Sequence, residues 1–215
     1  MTEFSLIANK IAEIGRRLYD KGLIAGLDGN ISARIDGNVM ITPSGRCKGT
    51  LTGDDMIVID LNGHVISGDN SPSSETSMHL NIYRNRPDID ACVHAHPPYA
   101  TSFAVAGVPL DSDILPEVVL FVGDIPQVEY APTGTELLGA AMAKYIAHHD
   151  ALLLKNHGVV TVGTGLDDAY YRMETVEHFA QILHHAKQLG AVGRLGEPEM
   201  QRLKTLRHNL RRAKT

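Results

Sequence analysis

A chain of 215 residues with 43% hydrophobic residues is long enough to bury a substantial core, and its net charge of −5 argues against broad nucleic-acid binding. No run approaches the roughly 18 apolar residues of a membrane span, and the first ten residues lack the basic-then-apolar order of a secretion signal. Two cysteines, Cys47 and Cys92, are too few for a disulfide framework, so a reduced, cytoplasmic protein is expected.

Leu6, Ile7, Ile11, Ile14 and Leu18 recur at helical spacing, and Gly22 stands where such a helix would stop. The loop Gly26-Leu27-Asp28-Gly29-Asn30 then feeds an alternating strand, which Asp36-Gly37-Asn38 turns into a hairpin over 39–41. A second loop, with Ser44, Gly45 and Arg46, precedes another hairpin over 56–60 and 64–66, joined near Asn62-Gly63. The polar stretch 68–75 leads into a helix to about 85, with Ser73 or Ser74 as its cap. Residues 90–96 read as an apolar strand stopped by Pro97 and Pro98, and 99–106 as a short helix closed by Gly107. Strands are expected at 117–121 and 127–130. Thr133 to Glu136 has capping-box spacing before a helix reaching 146. Strands at 151–154 and 159–162 flank a turn, Asn156-His157-Gly158; a long helix spans 166–189 and a last one 198–212. Interspersed helices, strands and hairpins favour one domain with a mixed sheet covered by helices, and count against a purely parallel, doubly wound sheet.

The chemistry gathers on histidines. His94 and His96 lie at i and i+2 of a strand, on one face and about 6.5 Å apart, where two imidazoles can converge on an ion. His157 stands at a tight turn from which a side chain can enter a cleft, and Glu75 stands at a helix start. Three histidines with one open position make the usual catalytic zinc arrangement, a carboxylate beside it can serve as acid/base, and glycine- and serine-rich loops can hold phosphate. Each feature has a plain counterpart. Gly26, Gly29 and Asn30 make an ordinary turn; Ser73 and Ser74 cap a helix; Glu75 complements a helix dipole; and His157 tolerates a left-handed turn. Cys92 shares the histidine face and is an alternative ligand to Glu75, but its apolar context reads as a packed core cysteine. His148, His149, His184 and His185 read as exposed helix positions. The tail with Arg202, Lys204, Arg207, Arg211, Arg212 and Lys214 reads as a solvated helix end, with attraction of an anionic substrate or partner subunit as the alternative.

Gly29-Asn30, Ser44-Gly45, Ser73-Ser74-Glu75, His94-Ala95-His96 and Asn156-His157-Gly158, in this order and spacing, resemble the class II aldolase/adducin family over roughly residues 5–189. The resemblance implies a single-domain three-layer α/β/α sandwich with a largely antiparallel central sheet. It also implies a homotetramer with sites at subunit interfaces. By resemblance, His94, His96 and His157 bind one Zn2+, and Glu75 is both acid/base and a zinc ligand at rest. Gly29, Asn30, Ser44, Gly45, Ser73 and Ser74 hold the substrate phosphate. The implied activity is cleavage of a phosphorylated ketose, like L-fuculose 1-phosphate, to dihydroxyacetone phosphate and a hydroxyaldehyde through an enediolate. The family's tyrosine proton donor has no counterpart in 115–121, which leaves Glu117 or Tyr130 as substitutes. It also keeps open an epimerase of pentulose phosphates, a decarboxylase of oxo-acid phosphates or a dehydratase of a methylthio-sugar phosphate. A non-catalytic, adducin-like interaction protein, which need not keep the ligand set, is the alternative of another class.

Overall fold

The computed structural model describes residues 2–212. Helix α1 (Glu3–Asp20) buries the stripe Ile11, Ile14 and Leu18, and ends at a left-handed Gly22 (φ 67°), after which Leu23 N–H donates to Leu18 O. Strands β1 (Asn30–Ile35) and β2 (Asn38–Ile41) form a hairpin through Asp36 and Gly37, both at positive φ, as the twist of a two-residue turn demands. The second hairpin is β3 (Ile57–Ile59) with β4 (Val65–Ser67). Then come α2 (Thr76–Asn85), β5 (Ala91–Ala95), α3 (Pro98–Ala106), α4 (Pro116–Phe121), β6 (Gln127–Val128) and α5 (Glu136–Ile146). The chain continues with β7 (Ala151–Leu154), β8 (Gly158–Gly163), α6 (Leu166–Leu189) and α7 (Glu197–Arg212).

All eight strands join one sheet in the order β4-β3-β2-β1-β5-β8-β7-β6, antiparallel except for the β6–β7 pair. One apolar cluster unites α1, α3 and α6 with one face, through Val93, Ala95, Leu153 and Val159. The other unites α2 and α5 with the opposite face, through Cys92, Leu152, Leu154 and Val160. The result is the expected three-layer α/β/α sandwich. Central strands covered on both sides carry continuous apolar runs, which is why β5 and β7 show little alternation. Among the described residues, no helix is long and apolar enough to cross a membrane.

The structure corrects several expectations. Residues 117–121 are helical, not a strand: Pro116 occupies the first turn, and Val118 and Val122, four apart, both face the core. A short apolar run cannot be assigned by period alone. The strand expected at 127–130 shrinks to two residues. Neither Ser73 nor Ser74 caps α2: Glu75 holds the N-cap position, and Ser73 Oγ accepts from Glu75 N–H at 3.2 Å. No capping box joins Thr133 and Glu136: α5 starts at Glu136 with Thr135 at the N-cap, and the Thr135 hydroxyl donates to Pro132 O. His148 and His149 follow the end of α5, and His149 is half-buried. The basic tail is not uniformly solvated. Arg207 and Arg211 reach Asp150 at 2.8 and 2.9 Å, where Arg86 and Arg172 also converge. Lys214 lies outside the described residues.

Candidate functional site

Alternation along β5 sends Val93 and Ala95 to one core and Cys92 and His94 to the other, so His94 faces α2. Its partner across the sheet is Asn30 at the start of β1, whose side chain therefore shares that face. His96 lies just past the strand, anchored by its own N–H to Leu23 O, and α3 behind it is fixed by Glu177. That carboxylate accepts from Tyr99 N–H and Ala100 N–H at 2.9 and 2.8 Å. His157 belongs to the β7–β8 turn. Asn156 (φ 55°), not His157, takes the left-handed conformation there. A Cβ on Gly158 would stand 2.5 Å from Ala95 O, so glycine is what lets the turn close on the end of β5. Gly29 is held to the same standard: at φ 71°, its Cβ would meet His94 O at 2.8 Å.

These placements bring one ring nitrogen each of His94, His96 and His157 within 4.8 Å of one another. His94 Nδ1 lies 2.9 Å from Val159 O and donates to it, which leaves Nε2 with its lone pair. That nitrogen is 3.1 Å from His96 Nε2 and 3.2 Å from Glu75 Oε2, while His157 Nε2 is 3.3 Å from Glu75 Oε1. Burial opposes ionisation of Glu75, but the His94 and His157 rings and the Asn30 amide, which donates at 2.9 Å, hold its carboxyl well below the usual carboxylate range. Burial and repulsion from His94 lower His157 to about 3, and burial lowers His96 as well, so both rings are neutral and ligand-competent at pH 7.

The donor set fits a small divalent ion. Lone pairs of imidazoles and a carboxylate converge here, and Glu75 Oε1 is buried without a hydrogen-bond partner among the described residues. Tetrahedral zinc with bonds of about 2.0–2.1 Å to nitrogen needs donors about 3.3 Å apart; the His94–His96 pair and the Glu75 contacts to His94 and His157 stand at 3.1, 3.2 and 3.3 Å, and all three imidazole nitrogens lie within 4.8 Å. The His94–Val159 bond orients one ligand from behind, and Asp28, 3.4 Å from His96 Nδ1, stands behind another. Cys92 does not join them. It is fully buried in the α2/α5 cluster, and burial raises its thiol pKa.

A cleft of about 210 Å3 opens over this centre, lined by Gly29, Asn30, Ser44, Gly45, Ser73 and Ser74, together with Glu75, His96 and His157. The two serine loops are zipped together: Ser44 N–H donates to Ser71 O and Ser73 N–H to Thr42 O, so those amides bind the loops rather than a ligand. Lys48 also lines the cleft; it is buried, and its ammonium donates to Leu27 O and Arg46 O at 2.7 and 2.9 Å, tying the glycine loop to the first serine loop. Burial lowers its pKa despite nearby carboxylates. A single lysine in a loop has no periodic signature, so nothing in the sequence marked it. Glu117 and Tyr130 are exposed and are not among the residues lining the cleft.

Residues 9–184 match the model of the class II aldolase and adducin N-terminal domain. An L-fuculose phosphate aldolase of Methanococcus vannielii is 40% identical over 167 residues, 78% of this chain and 90% of its own length. A 5-deoxy-D-ribulose 1-phosphate aldolase of Bacillus thuringiensis is 37% identical over 199 residues, 90% and 92% of the two chains. A 3-oxo-tetronate 4-phosphate decarboxylase of Pectobacterium atrosepticum is 37% identical over 179 residues, 81% and 82%. Among solved structures, an L-fuculose 1-phosphate aldolase superposes with a TM-score of 0.87 at 34% identity, covering 94% of this chain and 95% of that one. These relatives are named for lyase reactions, and the family match runs over residues 9–184: the chain belongs to the class II aldolase and adducin N-terminal domain family.

Proposed function

We propose that the protein is a zinc-dependent aldolase that cleaves a phosphorylated ketose, such as L-fuculose 1-phosphate, to dihydroxyacetone phosphate and a hydroxyaldehyde. The observation that carries this reading is the meeting of three imidazoles and the buried Glu75 carboxylate beneath a cleft walled by serine and glycine loops. His94, His96 and His157, with Glu75 at rest, would hold the ion. When bound, it would stabilise negative charge developing on the substrate's ketone oxygen.

The chain's own residues supply the rest. Gly29, Asn30, Ser44, Gly45, Ser73 and Ser74 embrace the phosphate, and Lys48 offers it a positive charge that desolvation strengthens. Carbon–carbon cleavage releases the proton of the hydroxyl that becomes the aldehyde and leaves a carbanion equivalent on the three-carbon fragment. Glu75 Oε1, ionised at rest and unpartnered, picks up a proton in the cleft and delivers it to that carbon, so that none is gained or lost, and removes it in the synthesis direction. The assembly is a homotetramer in this reading, and the two unpaired cysteines suit the cytoplasm.

A second reading, decarboxylation of an oxo-acid phosphate, draws on one observation: no tyrosine, and neither Glu117 nor Tyr130, lines the cleft to protonate an aldehyde oxygen. Incubating purified protein with a panel of ketose 1-phosphates and oxo-acid phosphates, with separate detection of dihydroxyacetone phosphate and carbon dioxide, decides between them. Dihydroxyacetone phosphate release supports the aldolase. Carbon dioxide alone replaces it with the second reading, and neither product from any compound overturns both.

A further inference from the structure

From Glu75 and Asn30 a chain of buried polar groups runs back behind the cleft, through residues that the proposed reaction does not use. Asn30 Nδ2 donates to Glu75 Oε2 at 2.9 Å; His79 Nε2 lies 2.5 Å from Asn30 Oδ1; Ser32 Oγ lies 2.6 Å from His79 Nδ1; and the Tyr83 hydroxyl lies 2.8 Å from Ser32 Oγ. All five residues are buried, with His79 and Ser32 fully so. The chain alternates between two elements. Glu75, His79 and Tyr83 are four apart along α2, a rise of about 6 Å per step, and Asn30 and Ser32 are two apart along β1, about 6.8 Å. The near-match of these two repeats lets helix and strand interleave their polar groups without a gap.

Hydrogen-bond chemistry gives the chain one direction. An ionised carboxylate only accepts, so the amide nitrogen of Asn30 must face Glu75 and its oxygen must face His79. His79 is fully buried and its ring meets only an amide oxygen and a hydroxyl, with no carboxylate to pair a charge, so it carries one N–H. That hydrogen must be on Nε2, donating to Asn30, and Nδ1 must accept from the Ser32 hydroxyl, which in turn accepts from Tyr83. The opposite direction would turn the Asn30 oxygen toward Glu75, an arrangement that only a protonated Glu75 could satisfy.

We propose that His79, backed by Ser32 and Tyr83, is a positioning residue that fixes the Asn30 amide so that Glu75 is held as an oriented carboxylate. No proton travels along the chain, because the amide cannot relay one. Asn30 thereby has a divided role: its oxygen accepts from His79, one N–H serves Glu75, and its second N–H remains for the ligand. The effect on catalysis rests on the acid/base role proposed for Glu75, whereas the direction of the hydrogen bonds does not.

The first test is therefore spectroscopic and needs no substrate. In metal-free, 15N-labelled protein, long-range 1H–15N correlation should show His79 as the Nε2–H tautomer, unchanged from about pH 5 to about pH 8. Ser32→Ala, which removes the donor to Nδ1, should shift the Nδ1 resonance and identify the signal. An Nδ1–H tautomer overturns the proposal whatever the enzyme's substrate. The second test is kinetic, on the zinc-loaded enzyme. His79→Leu should lower kcat about 100-fold with KM within about threefold and zinc content unchanged, while His79→Gln, whose amide can donate to Asn30, should recover most of the loss. Tyr83→Phe, which deletes only the last hydroxyl, should retain the fold and lower kcat about threefold or more. Full kcat in either His79→Leu or Tyr83→Phe overturns the positioning role. If Glu75→Gln is fully active while the tautomer is as stated, the acid/base reading of Glu75 fails and the hydrogen-bond chain stands.

Discussion

Two buried carboxylates lie at opposite ends of the same strands. Asp150 precedes β7, while Glu75 meets His157 at the β7–β8 turn. Four guanidiniums surround Asp150: Arg211 and Arg86 contact one oxygen at 2.9 and 3.1 Å, and Arg207 and Arg172 the other at 2.8 and 3.7 Å. Three of those arginines are tied down further, Arg86 to Asp88 and the carbonyls of Ile146 and His149, Arg172 to Phe121 O and Val162 O, and Arg207 to Val119 O. Among the described residues no lysine or arginine contacts Glu75; its neighbours are the His94 and His157 rings and one amide, and Oε1 has no hydrogen-bond partner. A carboxylate saturated by fixed cations is a clamp, because no proton or ligand can reach it without breaking several bonds. A carboxylate held on one oxygen and bare on the other is ready for chemistry. Burial is nearly equal at the two places, so partner saturation, not depth, separates structure from function.

The predictions probe that contrast, beginning with the largest effect. Glu75→Gln should leave the thermal midpoint almost unchanged and lower kcat about 1,000-fold or more; activity within tenfold of wild type would sink the acid/base role. His157→Ala should reduce bound zinc from about one per chain to below about 0.1, measured by elemental analysis after desalting, and a strong chelator should do the same to the wild type. Asp150→Asn should do the reverse of Glu75→Gln. It strands four arginines and should cost about 3–5 kcal/mol in denaturant unfolding, while kcat per folded molecule stays near wild type.

The same residue gives a pH signature. Burial resists ionisation of Asp150, but Arg172, Arg211, Arg207 and Arg86 overcome it and lower its native pKa. A depressed native value contributes stability above about pH 4, the unfolded-chain value, and that stability is lost as pH falls through the native one. Wild-type unfolding free energy should therefore fall below about pH 4, and Asp150→Asn should flatten this limb. Lys48→Met should raise KM for a sugar phosphate about 10- to 100-fold, with kcat within a few-fold. An unchanged KM would remove Lys48 from phosphate binding. The smallest effect is expected of Cys92→Ala: about 1 kcal/mol of stability and no change in zinc content.

Parts of this contrast were legible in the residues. The His94/His96 spacing, Glu75 at a helix start and His157 between two apolar strands were found because each rests on short-range geometry: a period of two, a helix boundary, a tight turn. The clamp was not. Arg207 and Arg211 look like a solvated helix end, and nothing local reveals that Asp150, some 60 positions earlier, draws them inward. The run Val118-Val119-Leu120-Phe121 fits a strand as readily as a helix, because four apolar residues suit either period, and only packing against α7 and the core chooses the helix.

By itself, the sequence determined the elements whose periodicity is strong, the loops where glycine is required, and the residue types able to hold a metal and a phosphate, since those depend on backbone geometry and side-chain chemistry within a few positions. The tertiary structure decided which polar groups share a low-dielectric interior. It set Asn30 opposite His94 by strand register, brought His79 and Ser32 behind Glu75, placed Lys48 beneath the cleft and joined four arginines to Asp150. Those assignments depend on contacts between residues far apart in the chain, and a pairwise contact leaves no mark on either residue's local pattern.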